Sequence, residues 1–203
     1  MQAISLLIVE DQSLVRDAIA SLLDLEDDIT VTGKCVDGEA AISWLNSNPH
    51  PDMILSDIEM PSLSGLDMAG KLQDSGFSGT VVFMTTFSKP GYIKRAMQLG
   101  AKGFILKESD SDYLISALRK INRGERVIDP ELALLALDDN NPLSEKERKA
   151  LKLASDGLKT KEIASQLFLS EGTIRNYLSE SIAKLGATNR VDAARIAEQK
   201  GWL

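Results

Sequence analysis

The sequence predicts an α/β domain with a doubly wound parallel sheet, followed by an all-α domain of four helices. Three observations lead to this prediction. Short apolar runs alternate with segments of helical period up to residue 123, the strand pattern is absent after residue 142, and the sign of the charge reverses near the same place. Because alternating strands and helices favour a parallel sheet with helices on both faces, the front part is expected to fold as five βα units, (βα)5.

The first strand and helix show the two periods most clearly. Residues 4–9 are almost continuously apolar, as expected of a strand that is buried on both faces. Residues 13–24 then place apolar side chains at helical spacing, from Leu14 to Leu23. The same alternation predicts strands at 29–35, 52–56, 80–85 and 103–106 and helices at 38–47, 65–74, 90–100 and 110–122.

Residues 124–141 are predicted to link a first domain, 1–123, to a second domain, 142–203. The linker begins with Gly124, a typical helix stop. Asp129 and Pro130 can start a short helix that continues through Leu137. The polar residues 138–142 suit a flexible tether.

Four helices are predicted in the second domain. Ser144 and Glu147 have the spacing of a capping box at the start of the first helix. The second helix covers 160–167 and is separated by a tight turn at 168–170 from a third helix over 171–185; the fourth covers 189–199. Two helices joined by a three-residue turn are typical of the helix-turn-helix, whose second helix enters the major groove.

Composition excludes several classes of protein. The chain has 203 residues, a net charge of −7, and 43% hydrophobic and 26% charged residues, as in a globular domain. One Cys and one His exclude a disulfide framework, a multi-Cys zinc or iron–sulfur site and a His-rich metal cluster. No apolar run approaches the ~18–20 residues of a membrane span, and the start does not resemble a signal peptide. We expect a cytoplasmic protein without membrane insertion.

The charge is distributed unevenly along the chain. Residues 1–141 carry 12 basic and 22 acidic side chains, a net of −10, whereas residues 142–203 carry 11 and 8, a net of +3. An acidic front part repels nucleic acid, and a mildly basic back part can attract it. The charges alone fit two domains with different partners and chance variation of a surface equally well.

Polar side chains follow four of the predicted strands. Glu10 and Asp11 follow the first strand, Asp57 the third, Thr85 ends the fourth, and Lys107 follows the fifth. These groups should meet at one edge of a parallel sheet. Three carboxylates so close raise each other's pKa unless a cation intervenes, and their oxygens suit Mg²⁺. One carboxylate could then act as a nucleophile, as in aspartyl-phosphate enzymes, while the lysine and threonine stabilise phosphoryl oxygens.

Each of these residues also has a purely structural explanation. Asp11 alone could cap a helix, and Thr85 alone could be an ordinary β-branched strand residue. Lys107 alone could be a solvated surface lysine, and the aromatic Phe104 a core residue. Only the joint pattern favours a functional site.

This joint pattern resembles the receiver domain of bacterial response regulators, a CheY/flavodoxin-like fold. The matching residues, which span about 3–123, are Glu10-Asp11, Asp57-Ile58-Glu59-Met60-Pro61 with Gly65, Thr85, and Lys107 after Phe104.

The resemblance implies a role for each matching residue. Asp57 would accept a phosphoryl group from a sensor histidine kinase. Glu10 and Asp11 would bind Mg²⁺ together with Asp57 and the backbone carbonyl of Glu59. The residues expected to stabilise the phosphoryl group or to act as a switch are Thr85, Phe104 and Lys107.

The second domain resembles the LuxR-type DNA-binding domain of NarL/FixJ-type response regulators. The residues that carry this resemblance are Leu143-Ser144-Glu145, Glu147, Glu162-Ile163-Ala164, Leu169-Ser170, Thr173-Ile174-Arg175, Lys184-Leu185 and Asn189-Arg190. The chain looks most like the DesR subgroup, through Thr85-Thr86-Phe87, Pro90-Gly91-Tyr92 and the segment 172–177. Tyr177 stands where this family usually has histidine.

The third helix of this domain is the predicted DNA-reading element. Gly172, Arg175, Asn176 and Ser179 share one helical face, which should look into the groove. Arg175 can read guanine and Asn176 adenine, although a phosphate contact by Arg175 is an equal alternative. The candidate phosphate contacts are Thr160, Lys161, Thr173, Lys184 and Arg190.

The favoured function is a phosphorylation-controlled transcription factor rather than an enzyme. A histidine kinase would phosphorylate Asp57, the protein would form a homodimer, and the dimer would bind double-stranded promoter DNA, with RNA polymerase as a candidate partner. One alternative is an aspartyl-phosphate phosphatase that uses Asp57 and Glu59. The other is a constitutive DNA-binding protein with a silent receiver.

Overall fold

The structure is a computed structural model that describes residues 3–86, 89–137 and 140–203. Phe87, part of the DesR resemblance, and residues 138 and 139 of the predicted tether lie outside the described residues. The described chain forms two compact units. The first holds 3–86 and 93–136, and the second holds 89–92, 137 and 140–203.

The first unit contains a parallel sheet, which confirms the predicted doubly wound α/β fold. The strand order is β2-β1-β3-β4-β5-β6. The strands are β1 Ile4–Val9, β2 Ile29–Cys35, β3 Met53–Asp57, β4 Thr80–Thr85, β5 Gly103–Leu106 and β6 Val127–Ile128. The sequence predicts five of them. The sixth has two residues, too few to show a period, and pairs with β5 inside the region predicted as a linker.

Helices connect the strands and cover both faces of the sheet. Their bounds are α1 Ser13–Leu23, α2 Gly38–Leu45, α3 Gly65–Asp74, α4 Pro90–Gln98, α5 Ser111–Asn122 and α6 Pro130–Leu137. The last of these covers the short helix predicted inside the linker. Because β6 and most of α6 belong to the first unit, regular structure extends beyond residue 123; the boundaries of the two domains stay a prediction.

The apolar core of the first unit lies in two layers, one on each face of the sheet. Leu6 and Ile8 of β1 pack into the layer that contains residues of α1 and α5. Leu7 and Val9 pack into the layer that contains residues of α2 and α3. Successive side chains of a strand point to opposite faces, so a strand covered on both sides reads as a continuous apolar run.

In the described part of the second unit, four complete helices pack around one apolar core, as the sequence predicts. They are α7 Glu145–Ser155, α8 Thr160–Gln166, α9 Glu171–Leu185 and α10 Arg190–Gln199. The predicted capping box is present, since Ser144 Oγ accepts a hydrogen bond from the Glu147 N–H and Glu147 Oε2 accepts one from the Ser144 N–H. Ser170 caps α9 by accepting from the Thr173 N–H at 3.1 Å.

Candidate functional site

Three carboxylates meet at the carboxyl-terminal edge of the sheet. Glu10 and Asp11 follow β1, and Asp57 is the last residue of β3. Each offers one carboxylate oxygen within 4.8 Å of the others. Glu10 and Asp57 are buried and Asp11 is exposed, so the cluster opens to solvent on the side of Asp11.

Lys107 bridges the two buried carboxylates. Its Nζ lies 2.7 Å from Glu10 Oε2 and 2.8 Å from Asp57 Oδ2. The second oxygen of Asp57, Oδ1, accepts a hydrogen bond from the Ile58 N–H at 2.6 Å. The lysine follows β5 immediately, and its own N–H donates to the Thr85 carbonyl at 2.8 Å, which ties the ends of β4 and β5 together.

Burial and charge shift the acid–base behaviour of this group. Burial raises the pKa of Glu10 above its usual value, and the charge of Asp57 raises it further, while the ammonium of Lys107 opposes the rise. Burial alone would lower the pKa of Lys107. The two carboxylates outweigh that effect, so the pKa of Lys107 is raised and the lysine stays protonated.

Hydrogen bonds to its backbone and side chain hold Glu10 in place. The Glu10 N–H donates to the Cys35 carbonyl at 3.0 Å, and Arg16 Nη1 donates to the Glu10 carbonyl at 2.6 Å. Glu10 Oε1 also accepts from the Gln12 N–H at 3.2 Å. Sequence reasoning missed Arg16, because an arginine at the start of an amphipathic helix gives no signal that it turns back to the preceding strand end.

The loop after Asp57 is closed by a glycine. The Gly65 N–H donates to the Ile58 carbonyl at 3.0 Å. A Cβ at Gly65 would lie 2.0 Å from the Asp57 carbonyl oxygen and 2.9 Å from Ser56 Oγ. Only glycine allows α3 to start this close to the end of β3.

The remaining predicted residues of this edge lie nearby. Thr85 is buried at the end of β4. Phe104 is buried in β5 and packs against Phe83, with 5.8 Å between the ring centroids. Glu59 lies two residues beyond β3 with an exposed side chain. The structure therefore brings Glu10, Asp11, Asp57 and Lys107 together and places Thr85 beside them.

The carboxylate cluster fits a hard divalent cation. The buried Glu10 Oε2 has the Lys107 ammonium as its partner at 2.7 Å, while Asp11 leaves the cluster open to solvent. Asp11 is not the cap residue of α1, since the cap position is Gln12, whose side chain makes no capping hydrogen bond. Carboxylate oxygens with an open, solvated side are the donors that Mg²⁺ prefers.

In the second unit, α9 presents the predicted face to solvent. Gly172, Arg175, Asn176 and Ser179 are all exposed. The opposite face packs into the core, where Ile174 and Leu178 are among the buried residues. Arg175 Nη2 lies 3.2 Å from Glu171 Oε2, one turn earlier on the same helix.

The candidate phosphate contacts differ in their surroundings. Lys161 is exposed, whereas Thr160 and Arg190 are half-buried. Thr173 takes part in the helix cap, with its Oγ1 2.9 Å from Ser170 Oγ. Lys184 does not stand free, because its Nζ lies 2.7 Å from Glu147 Oε1 and 2.8 Å from Oε2. Sequence reasoning treats Glu147 as a cap only; the pairing with Lys184 joins α7 to α9.

No helix among the described residues combines the length and apolarity needed to cross a bilayer.

Comparison with known proteins defines the class. The model of the response regulator receiver domain matches residues 6–119, and the model of bacterial regulatory proteins of the luxR family matches residues 141–197. The chain belongs to the NarL/FixJ-type response regulators, which join a receiver domain to a LuxR-type DNA-binding domain. Both resemblances expected from the sequence are confirmed.

Individual relatives show which members of this class the chain is similar to. The chain is 47% identical over 200 residues to the uncharacterized transcriptional regulatory protein YvfU of Bacillus subtilis (strain 168), covering 98% of this chain and 100% of YvfU. It is 42% identical over 199 residues to the transcriptional regulatory protein DesR of the same organism, covering 98% of each. The structure of RcsB from Salmonella enterica serovar Typhimurium, bound to promoter rprA with the phosphomimetic BeF3-, shares the fold, with a TM-score of 0.69 at 21% identity over 97% of this chain and 99% of RcsB.

Proposed function

We propose that a sensor histidine kinase phosphorylates Asp57 and that this phosphorylation controls promoter binding by the second unit. The observation that carries the proposal is the contact of one lysine, whose side chain is 9% exposed, with two buried carboxylates, beside a third carboxylate that is open to solvent. This arrangement places the Asp57 carboxylate, as the nucleophile, next to the side of the cluster that Asp11 opens to solvent, and it keeps a cation ready for an incoming phosphoryl group.

The metal site is part of the same proposal. Glu10, Asp11, Asp57 and the backbone carbonyl of Glu59 would hold Mg²⁺. When bound, this ion neutralises charge on the phosphoryl oxygens. An Asp57 carboxylate oxygen attacks the phosphorus, the bond from phosphorus to the histidine nitrogen of the kinase breaks, and the electron pair stays with the departing imidazole.

The residues around Asp57 respond to the added charge. A phosphoryl group brings about −1.5 to −2 charge units, so Lys107 turns from Glu10 towards it. Thr85 moves inward to hydrogen-bond the phosphoryl group, and Phe104 follows into the space that Thr85 leaves. The surface formed by β4, β5 and their helices, or a surface that includes α1, changes, and receiver domains dimerise through it.

Dimerisation brings two DNA-binding units together. Residues 142–203 carry a net charge of only +3, so one copy would bind DNA weakly. Two tethered copies on paired half-sites gain affinity through effective concentration. Arg175 and Asn176 would contact bases, with Ser179 on the same face, and the phosphate contacts would come from Thr160, Lys161, Thr173, Lys184 and Arg190. RNA polymerase is the further partner that regulation at a promoter requires.

The test is the intact mass of the full chain after incubation with acetyl phosphate and Mg²⁺, with Asp57→Asn as the control. We expect one phosphoryl adduct in the wild type, none in the variant, and a dimer by light scattering in the phosphorylated sample only. A wild type that stays monomeric both with the adduct and as its beryllofluoride complex would contradict the proposed coupling. Repeated turnover of a phosphomonoester would instead indicate a phosphatase.

A further inference from the structure

Both cations of the proposed DNA-reading helix are paired with carboxylates. Lys184 Nζ lies 2.7 Å from Oε1 of the buried Glu147. Arg175 Nη2 lies 3.2 Å from Glu171 Oε2, and here both side chains are largely exposed, 67% for Arg175 and 45% for Glu171. Arg175 can therefore turn to DNA without breaking a buried contact, whereas Lys184 cannot. The free energy of the contact between Arg175 and Glu171 determines how easily Arg175 moves.

Glu171 lies in the first turn of α9, where the helix dipole favours a carboxylate, but its exposed pair with Arg175 itself adds little stability. Exposed ion pairs one helical turn apart contribute little to folding. The start of α9 is already capped by Ser170 Oγ, which accepts from the Thr173 N–H. Glu171 also places a negative charge beside the face formed by Gly172, Arg175, Asn176 and Ser179, where it opposes the approach of DNA phosphates.

We propose that Glu171 is a specificity-determining residue that directs Arg175 to guanine in the major groove and away from phosphate. This inference rests on the proposed DNA-binding function. Arginine carries five N–H donors in a planar fork. With Nη2 held by Glu171, the other donors can still form two hydrogen bonds to guanine O6 and N7. A phosphate contact draws the guanidinium away and leaves the Glu171 carboxylate unpaired beside the DNA backbone, so the pair favours guanine.

The chain contains a matched control for this position. Glu145 also follows a serine helix cap, Ser144, and it pairs with Lys149 one turn later at 2.7 Å. Glu145→Gln and Glu171→Gln therefore remove the same charge, from the same position of a helix, within the same unit. They differ in that Glu145 lies on α7, outside the DNA-reading helix.

The experiment uses the full chain with beryllofluoride and Mg²⁺ and two DNA probes. One probe is a randomised duplex from which preferred sites are selected, and the other is an alternating A·T duplex, which lacks guanine. We expect Glu171→Gln to bind the A·T duplex about two- to fivefold tighter than the wild type. Its salt dependence should steepen by about 0.9 per subunit, the value of one added phosphate contact. Its selected sites should lose a guanine preference that the wild type and Glu145→Gln retain.

A double-mutant cycle with Arg175→Gln isolates the pair. In that background Glu171→Gln should no longer tighten binding to the A·T duplex. An equal effect with and without Arg175 would mean a general charge effect and would overturn the inference, as would selected sites and a salt slope identical to the wild type. If the wild type selects no site at all, the proposed DNA-binding function fails, and that result is distinct from a wild type that selects sites without regard to Glu171. Circular dichroism of each variant confirms that the helices are intact.

Discussion

At Gly65 the backbone of α3 passes so close to β3 that a side chain has no space. We expect Gly65→Ala to lower the free energy of unfolding by about 2–4 kcal/mol, because the added Cβ would meet the Asp57 carbonyl oxygen at 2.0 Å. The measurement is urea denaturation followed by the fluorescence of Trp44, which packs against the core of the first unit, in a Trp202→Phe background.

Gly70 of the same helix provides the control. A Cβ there meets only Leu99 Cδ2, at an ordinary contact distance of 3.8 Å. Gly70→Ala should raise stability by about 0.5–1 kcal/mol, since glycine is a poor helix former. If the two substitutions had equal effects, the close approach at Gly65 would not govern this loop.

Lys107 is the residue on which the charge balance of the carboxylate site depends. Removing its ammonium leaves Glu10 and Asp57 buried and facing each other, so Lys107→Met should destabilise the first unit by about 3 kcal/mol in the absence of divalent ions. Added Mg²⁺ should recover part of this loss, because a bound cation replaces the missing charge. Denaturation of the same Trp202→Phe protein with EDTA and with Mg²⁺ measures both effects.

The comparison for this prediction is Lys34→Met, which breaks the exposed pair between Lys34 and Asp17. That variant should lose little stability, and Mg²⁺ should not change the difference from the wild type. A Lys107→Met protein with the same stability in EDTA and Mg²⁺ would argue against a metal site formed by these carboxylates.

Among the helices of the second unit, α7 depends on one buried carboxylate. Glu147 is buried, which alone would raise its pKa, but Lys184 and the Ser144 N–H stabilise the charged form and lower the pKa to about 2. Since the folded pKa lies below the unfolded value of 4.5, the stabilisation is complete above about pH 4.5 and is lost as the pH falls towards 2. At pH 7 it amounts to about 3 kcal/mol.

We therefore expect Glu147→Gln to weaken the second unit at pH 7 and to remove most of its loss of stability between pH 5 and pH 2. The fluorescence of Trp202, which packs against the core of this unit, reports its unfolding in a Trp44→Phe background. Glu145→Gln changes an exposed acid of the same helix and should leave the pH dependence nearly intact. A Glu147→Gln protein that loses stability in acid as steeply as the wild type would refute this account of α7.

Sequence patterns predict the longer elements because their periods extend over several residues. The predicted ends of β1–β5 and α1–α5 lie within two residues of those in the structure. The strand β6 is too short to show a period in the sequence. It is recognised only in the structure, by its pairing with β5. The sequence also does not predict the hydrogen bond from Arg16 to the Glu10 carbonyl or the ion pair between Lys184 and Glu147. Both depend on distances from side-chain atoms, which a sequence pattern does not contain.

The sheet topology brings the residues of the carboxylate site together, so the site can be predicted from the sequence. In a parallel sheet every strand ends at the same edge, so Glu10, Asp11, Asp57, Thr85 and Lys107 meet without any assumption about side chains. Topology does not predict which carboxylate pairs with Lys107 in the unphosphorylated protein. The pairing depends on the competition between two buried acids for one ammonium.

At the scale of the whole molecule, an acidic receiver domain is joined to a mildly basic DNA-binding domain. Residues 1–141, the first domain with the linker, carry a net charge of −10 and residues 142–203 carry +3, so we expect the DNA affinity of one copy to be low. In the proposed function, phosphorylation raises the DNA affinity by pairing two copies of the chain. The gain from pairing can reach about 10²–10⁴ in affinity when both half-sites are occupied.

The affinity of the full chain for a selected duplex, before and after phosphorylation, tests this coupling most directly. The wild type treated with acetyl phosphate and Mg²⁺ should bind a duplex with two half-sites at least about tenfold more tightly than the untreated protein, whereas a duplex with one half-site should show little gain. Asp57→Asn should bind both duplexes equally with and without the phosphodonor. Equal affinity of the phosphorylated and unphosphorylated wild type for the two-site duplex would contradict the central claim and would identify a DNA-binding protein whose receiver is silent.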